Sequence, residues 1–98
     1  MTIKKELNGK DLCVALEGRL DTVTAPDLEA QLKEDLEAAE SLTLDLKDLE
    51  YMSSAGLRVL LSAQKRMARK SGMKVTNVSE TIMEIFEVTG FSDILTIE

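Results

Sequence analysis

Apolar and polar residues alternate on both sides of a short break at Asn8-Gly9. Before the break Ile3, Lys5 and Leu7 share a face; after it Leu12, Val14 and Leu16 share one, opposite Cys13, Ala15 and Glu17. A period of two predicts strands, and Asn-Gly between them predicts a tight hairpin, here Thr2–Leu7 with Lys10–Glu17. Past Pro26 the period lengthens. Leu28, Leu32, Leu36 and Ala39 form one stripe, which predicts a helix over 25–39. Thr24 and Asp27 resemble a capping box at its start, and Pro26 suits the first turn. Leu42, Leu44 and Leu46 then alternate with Thr43 and Asp45, giving a strand over Ser41–Lys47. A second helix is predicted from Ser54 to about Lys70, with Leu57, Leu60, Leu61, Met67 and Ala68 inward, Gln64 near that stripe, and Gly72 as its stop. Met73–Val78 reads as a short strand. Ser79 caps a third helix, Glu80–Thr89, with Ile82, Ile85 and Phe86 inward and Gly90 at its end. Phe91 is expected to fold back onto the core, and Ile94–Ile97 to add an edge strand.

The element order is therefore ββαβαβαβ. It implies an α/β fold: a mixed sheet of four to five strands with the helices packed mainly on one face. The Cys13, Thr43 and Asp45 side is then the less buried face. Residues 1–98 are expected to make a single domain. In such a sheet, sites gather at the carboxyl ends of parallel strands. The connections Gly18–Thr24 and Asp48–Ser54 both leave such ends. They are expected to be neighbours, which brings Asp21 and Thr22 towards Ser53 and Ser54.

Composition narrows the chemistry. The formal net charge is −6, which argues against a nucleic-acid partner. No apolar run approaches a membrane span, and the first residues carry no apolar signal region, so neither a membrane segment nor a signal peptide is expected. The lone Cys13 has no internal disulfide partner and is read as structural, in keeping with the cytoplasm. The absence of histidine removes the Ser–His–Asp and Cys–His arrangements and the commonest zinc ligand. No catalytic residue, metal or cofactor is expected. The first helix carries six acids (Asp27, Glu29, Glu34, Asp35, Glu37, Glu40) against Lys33 and reads as a solvated face. From Ser54 to Ser71 there are five bases and no acid. Arg58 lies in the first turn, where a cation is mildly unfavourable, and so calls for a partner or a nearby carboxylate.

The chemistry-bearing stretch is Tyr51-Met52-Ser53-Ser54-Ala55-Gly56-Leu57. Two hydroxyls stand where the second helix begins. A serine there caps unpaired backbone N–H groups, and the same place tolerates a phosphate. The segment reads either as a plain cap or as a phosphorylation switch. A third reading, Ser54 as an enzymatic nucleophile, lacks an activating base, since no His exists and no Lys lies within the segment.

Gly18-Arg19-Leu20-Asp21, the Thr24-Ala25-Pro26 helix start, Leu44-Asp45-Leu46 and the Tyr51–Leu57 stretch together resemble the STAS domain family, closest to the small stand-alone anti-sigma factor antagonists of bacteria. The resemblance covers essentially the whole chain. It implies a partner switch. An anti-sigma factor, itself a serine/threonine kinase, binds the unphosphorylated antagonist and releases its sigma factor; phosphorylation of the antagonist abolishes binding, and a PP2C-type phosphatase reverses it. Aligned on Gly56-Leu57, the acceptor corresponds to Ser54, with Ser53 the lesser candidate. Ser53 stands where the family commonly has Asp, and Ala55 where it has a second Ser. The partner-binding surface expected from this is Asp21, Thr22, Thr24, Ser53, Ser54, Ala55 and Arg58, on a protein expected to be monomeric. The alternative is a STAS module in another assembly, such as a lipid-transport complex or a stress-signalling scaffold.

Overall fold

The computed structural model describes residues 1–98. Strand β1 (Thr2–Asn8) turns through Gly9, at φ +66°, into the antiparallel β2 (Asp11–Leu20). Helix α1 (Ala25–Asp35) carries the chain to β3 (Ser41–Met52), and α2 (Ser54–Met67) carries it to β4 (Met73–Thr76). Helix α3 (Glu80–Thr89) and a 3-10 turn, Phe91–Asp93, follow. The sheet order is β1-β2-β3-β4, with β2, β3 and β4 mutually parallel. The expected mixed sheet is present, and the element order matches as far as the third helix.

The core follows the alternation. Leu12, Val14, Leu16, Leu42, Leu44 and Leu46 are buried in one cluster with Leu28, Leu32 and Leu36 of the α1 segment and Ile82 and Phe86 of α3. Cys13, Ala15, Thr43 and Asp45, on the other face, are half-buried. Ser79 Oγ accepts from the Ile82 N–H at 3.3 Å and caps α3 as expected, and Gly90 ends that helix at φ +83°.

Several boundaries differ from the expectation. Strand β2 runs to Leu20 and β3 to Met52, so 48–52 is strand rather than loop. Ala15 pairs with Asp45 while Glu17 pairs with Asp48, and Gly18 pairs with Leu49 while Arg19 pairs with Tyr51. β3 thus holds an extra residue at each place, and such bulges break a period of two. They turn both Leu49 and Met52 into the core. Helix α1 stops at Asp35, short of Ala39, with Leu36, Glu37 and Ala38 in a turn. Helix α2 stops at Met67 rather than Lys70. β4 ends at Thr76 rather than Val78, because Asn77 is left-handed at φ +55°. The expected Ile94–Ile97 strand shrinks to a single bridge, Val75 to Ile97, leaving four strands.

Helix α2 buries Leu57, Leu60 and Met67 as expected, but the edge of its stripe differs. Val59 and Ala63 are buried, Leu61 is half-buried and Ala68 is exposed. Val59 and Ala63 face α1 across a groove that Leu32 and Leu36 also line. The helix is thus covered by its neighbour as well as by the sheet, and the inward arc rotates towards that neighbour.

Candidate partner-docking site at the start of α2

Ser53 is extended, at φ −90° and ψ 175°, and its Oγ accepts from the Gly56 N–H at 3.4 Å. Ser53 is therefore the cap. Ser54 is the first helical residue, exposed, and takes no part in capping. The two hydroxyls that the sequence placed together are divided: one closes the helix and the other faces solvent. Ala55 is half-buried, Gly56 and Leu57 are buried, and Arg58 is exposed one turn beyond Ser54. No acid lies in this first turn.

The start of α2 is fixed to the end of β2. The Ser53 N–H donates to the Leu20 carbonyl at 2.8 Å. Gly56 presses on the Leu20 side chain so closely that a Cβ there would lie 2.7 Å from Leu20 Cγ and 3.0 Å from Met52 Cγ. The neighbourhood expected of the 18–24 and 48–54 segments is thus present.

The segment after Leu20 is locked by its own hydrogen bonds. Asp21 Oδ1 accepts from the N–H groups of Val23 (3.0 Å) and Thr24 (3.1 Å). Thr24 Oγ1 accepts from the Asp21 N–H at 2.9 Å and donates to the Arg19 carbonyl at 2.8 Å. This overturns the expected capping box. Thr24 is already helical, at φ −90° and ψ −25°, and makes no side-chain cap bond, whereas a cap residue needs extended backbone. Its hydroxyl serves the turn before it. Thr22 is exposed, and Val23 stands 85% exposed on this rigid turn.

The Thr24 backbone N–H holds the Asp21 carboxyl below its usual range, with further lowering from the Val23 N–H, the Thr24 hydroxyl and the charge of Arg19, against some desolvation. The folded-state value is the lower one. The carboxylate's contribution is therefore complete above the ordinary carboxylate range and fades as the pH drops through the depressed value. Asp21→Asn is expected to weaken the fold at neutral pH and to flatten the acid limb of the stability profile, as read by urea unfolding at several pH values. An unchanged acid limb would show that the turn does not depend on the charge.

Three neighbours lie outside the partner-binding set expected from the sequence: Val23, Arg19 and Tyr51. The guanidinium of Arg19 lies over the Tyr51 ring, 4.4 Å from its centroid. An apolar residue inside the polar run Asp21–Thr24 was the available signal for Val23. Nothing local pairs Arg19 with Tyr51, which become opposite only through the bulged register. No cluster of three His, Cys, Asp or Glu side chains able to hold a metal is present, and no helix is long and apolar enough to cross a membrane.

Comparison with known proteins agrees with this architecture. Residues 3–96 match the family model described as "Mlab, STAS domain". The anti-sigma-B factor antagonist of Bacillus subtilis (strain 168) is 35% identical over 91 residues, covering 92% of this chain and 84% of that protein. That of Listeria monocytogenes is 33% identical over 104 residues, covering 100% of this chain and 90% of the relative. Among solved structures, the antagonist SpoIIAA in its unphosphorylated form superposes with a TM-score of 0.85 at 18% identity, covering 99% of this chain and 88% of that one. Its phosphorylated form gives 0.77, also at 18% identity, covering 99% and 91%. At that identity these structures speak for the fold alone, whereas the family match spans nearly every residue. The chain belongs to the STAS domain family and is a homologue of bacterial anti-sigma factor antagonists, which are regulators rather than enzymes.

Proposed function

We propose that this protein is an anti-sigma factor antagonist working in a phosphorylation-controlled partner switch in the cytoplasm. Its unphosphorylated form binds an anti-sigma factor that is also a serine/threonine kinase, and so frees a sigma factor. Phosphorylation of Ser54 ends that binding, and a PP2C-type phosphatase restores it. The observation that carries this reading is the division of labour at the start of α2. Ser53 makes the cap, and Ser54 is left exposed beside the rigid Asp21 turn.

The energetics suit a switch. A phosphoryl group adds about −1.5 to −2 charges at neutral pH. On the first turn of α2 the fold tolerates it, because the helix start is partially positive and that turn carries no acid of its own. Against a partner surface the same dianion loses its water, and an uncompensated charge is strongly penalised there. Asp21, Thr22, Val23, Ala55 and Arg58 form the surroundings that such a partner would meet. Ser54→Asp is expected to keep its circular dichroism spectrum and to bind the cognate kinase at least tenfold more weakly, a loss of about 1.4 kcal/mol or more. Titration calorimetry reads the affinity, and mass spectrometry after incubation with kinase and ATP locates the phosphate. Equal binding by both forms, or a phosphate found only on Ser53, defeats the proposal.

A further inference from the structure

The five bases between Ser54 and Ser71 divide into two groups. Arg66 and Lys70 turn towards α1: Arg66 donates to the Lys33 carbonyl at 2.8 Å, and Lys70 to those of Leu36 and Ala39 at 2.7 Å. Arg58, Lys65 and Arg69 are exposed. The ion pairs of the chain, Lys4–Glu17, Lys5–Asp35 and Lys74–Glu98, include none of them. Helical geometry aligns these free bases with the exposed serine. Ser54, Arg58 and Lys65 stand at i, i+4 and i+11, within about 40° of one another around the helix axis. The buried residues Gly56, Leu60, Ala63 and Met67 occupy the opposite side. Arg69 follows in the turn after the helix. A stripe facing solvent thus starts at Ser54 and reaches Lys65 roughly 16 Å away. No acid interrupts it. Arg58 also opposes the helix dipole where it stands, so its charge serves something other than α2.

Unpaired cations in a line, on a chain of net charge −6, suit an anionic partner. Their surroundings decide its kind. Helix α1, across the groove from α2, exposes Asp27, Glu29 and Glu34. A nucleic acid or an anionic membrane is broad and meets those acids together with the bases. A protein can carry a narrow acidic strip instead. The reach agrees. A standard interface hides about 800 Å² on each partner, a patch of roughly 16 Å radius, so a protein centred on Ser54 extends to Lys65. We infer that the partner docking at Ser54 carries a strip of carboxylates that lies along Arg58, Lys65 and Arg69, and that this stripe speeds its approach. This rests on the start of α2 being the docking site, and adds the chemistry of the partner surface to that reading.

The test follows association of the proposed anti-sigma factor kinase by surface plasmon resonance at several salt concentrations. Wild type is compared with Lys65→Glu/Arg69→Glu, with the neutral Lys65→Gln/Arg69→Gln, and with Ser54→Asp. Both altered bases are exposed, and an unchanged urea midpoint checks that the fold is intact. Charges at the margin of an interface act on association more than on dissociation. In about 50 mM salt the reversed pair is expected to associate about tenfold more slowly than wild type, with the neutral pair between them and little change in dissociation. Near 1 M salt, where the Debye length is about 3 Å, the rates should converge. Wild-type association by the reversed pair at low salt, with Ser54→Asp still impaired, overturns the stripe and leaves the switch standing. Slow association by the reversed pair, with Ser54→Asp binding as wild type does, supports the stripe and defeats the switch. A kinase that binds none of the four defeats both. Heparin and phosphatidylserine vesicles complete the set: retention of wild type but not of the reversed pair, with equal rates towards the kinase, assigns the stripe to a polyanion and overturns the inference.

Discussion

Gly56→Val is expected to destabilise the domain by about 3 kcal/mol or more, among the largest effects of any single replacement near the site. The cause is contact with a neighbour that cannot retreat. A Cβ at position 56 would lie 2.7 Å from Leu20 Cγ and 2.9 Å from its Cδ2. Cγ is the branch point of Leu20, and Leu20 is completely buried, so the side chain has no empty rotamer to adopt. Met52 Cγ closes the other side at 3.0 Å. Replacing a helical glycine ordinarily gains up to about 1 kcal/mol, which offsets only part of this. Gly56→Ala is accordingly expected to cost about 1 kcal/mol net, and valine, with two further methyl groups, considerably more. Urea unfolding provides the measurement, as a lower midpoint with an unchanged slope.

The same geometry predicts a coupling. Leu20→Ala alone should cost about 3 kcal/mol as a buried large-to-small change. It also removes the atoms that the new Cβ would strike. Gly56→Ala in the Leu20→Ala background should therefore be neutral or stabilising, and the double-mutant cycle should show a clearly favourable interaction. Additive losses would mean that Leu20 is not the obstacle. Since Leu20 also receives the Ser53 N–H, displacing it moves the start of α2 and hence Ser54.

Much of this arrangement could be read from the chain because it depends on nearest-neighbour patterns. Leu42, Leu44 and Leu46 alternate, Asn8-Gly9 turns, and Ser79 and Gly90 punctuate a helix; each signal acts over a few residues. What escaped depends on distant residues. The bulges in β3 arise from its pairing with β2, and they alone turn 48–52 from loop into strand. Val59 and Ala63 are buried because α1 lies beside them. The start of α2 was legible to within one residue, and that residue matters. Both serines suit a helix start by type. Only the extended backbone of Ser53 and the helical backbone of Ser54 decide which hydroxyl is occupied. Thr24 was misread for the converse reason. The capping motif is a pattern of types, and the threonine, being helical itself, found better partners behind it in Asp21 and Arg19.

Lys70 shows how far such distant partners can change a residue's meaning. By sequence it is a cation suited to the end of its own helix. In the fold it terminates a different one. Its Nζ donates to the carbonyls of Leu36 (2.7 Å), Glu37 (3.0 Å) and Ala39 (2.7 Å). These lie just past the end of α1, where a helix runs out of N–H partners. An ammonium has three donors, and all three are used. Arg66 helps in the same way, its guanidinium donating to the Lys33 carbonyl at 2.8 Å. Lys70→Met keeps the apolar stem and removes only the donors. The Glu37 carbonyl is exposed and can turn to water, but those of Leu36 and Ala39 are partly buried. The expected loss is about 2 kcal/mol, the effect of stranding partly buried acceptors that had charge-assisted bonds. Lys70→Arg should recover only part of it, because a planar fork does not converge on three oxygens as an ammonium does. Faster amide exchange over residues 36–42, together with a lower urea midpoint, would accompany the loss. Binding of the proposed kinase should be unaffected once the variant is folded, since α2, with 14 residues, separates Lys70 from Ser54 by about 20 Å. A change in midpoint equivalent to less than about 0.5 kcal/mol, the level of an ordinary surface substitution, would show that water replaces the ammonium and that α1 ends without its help.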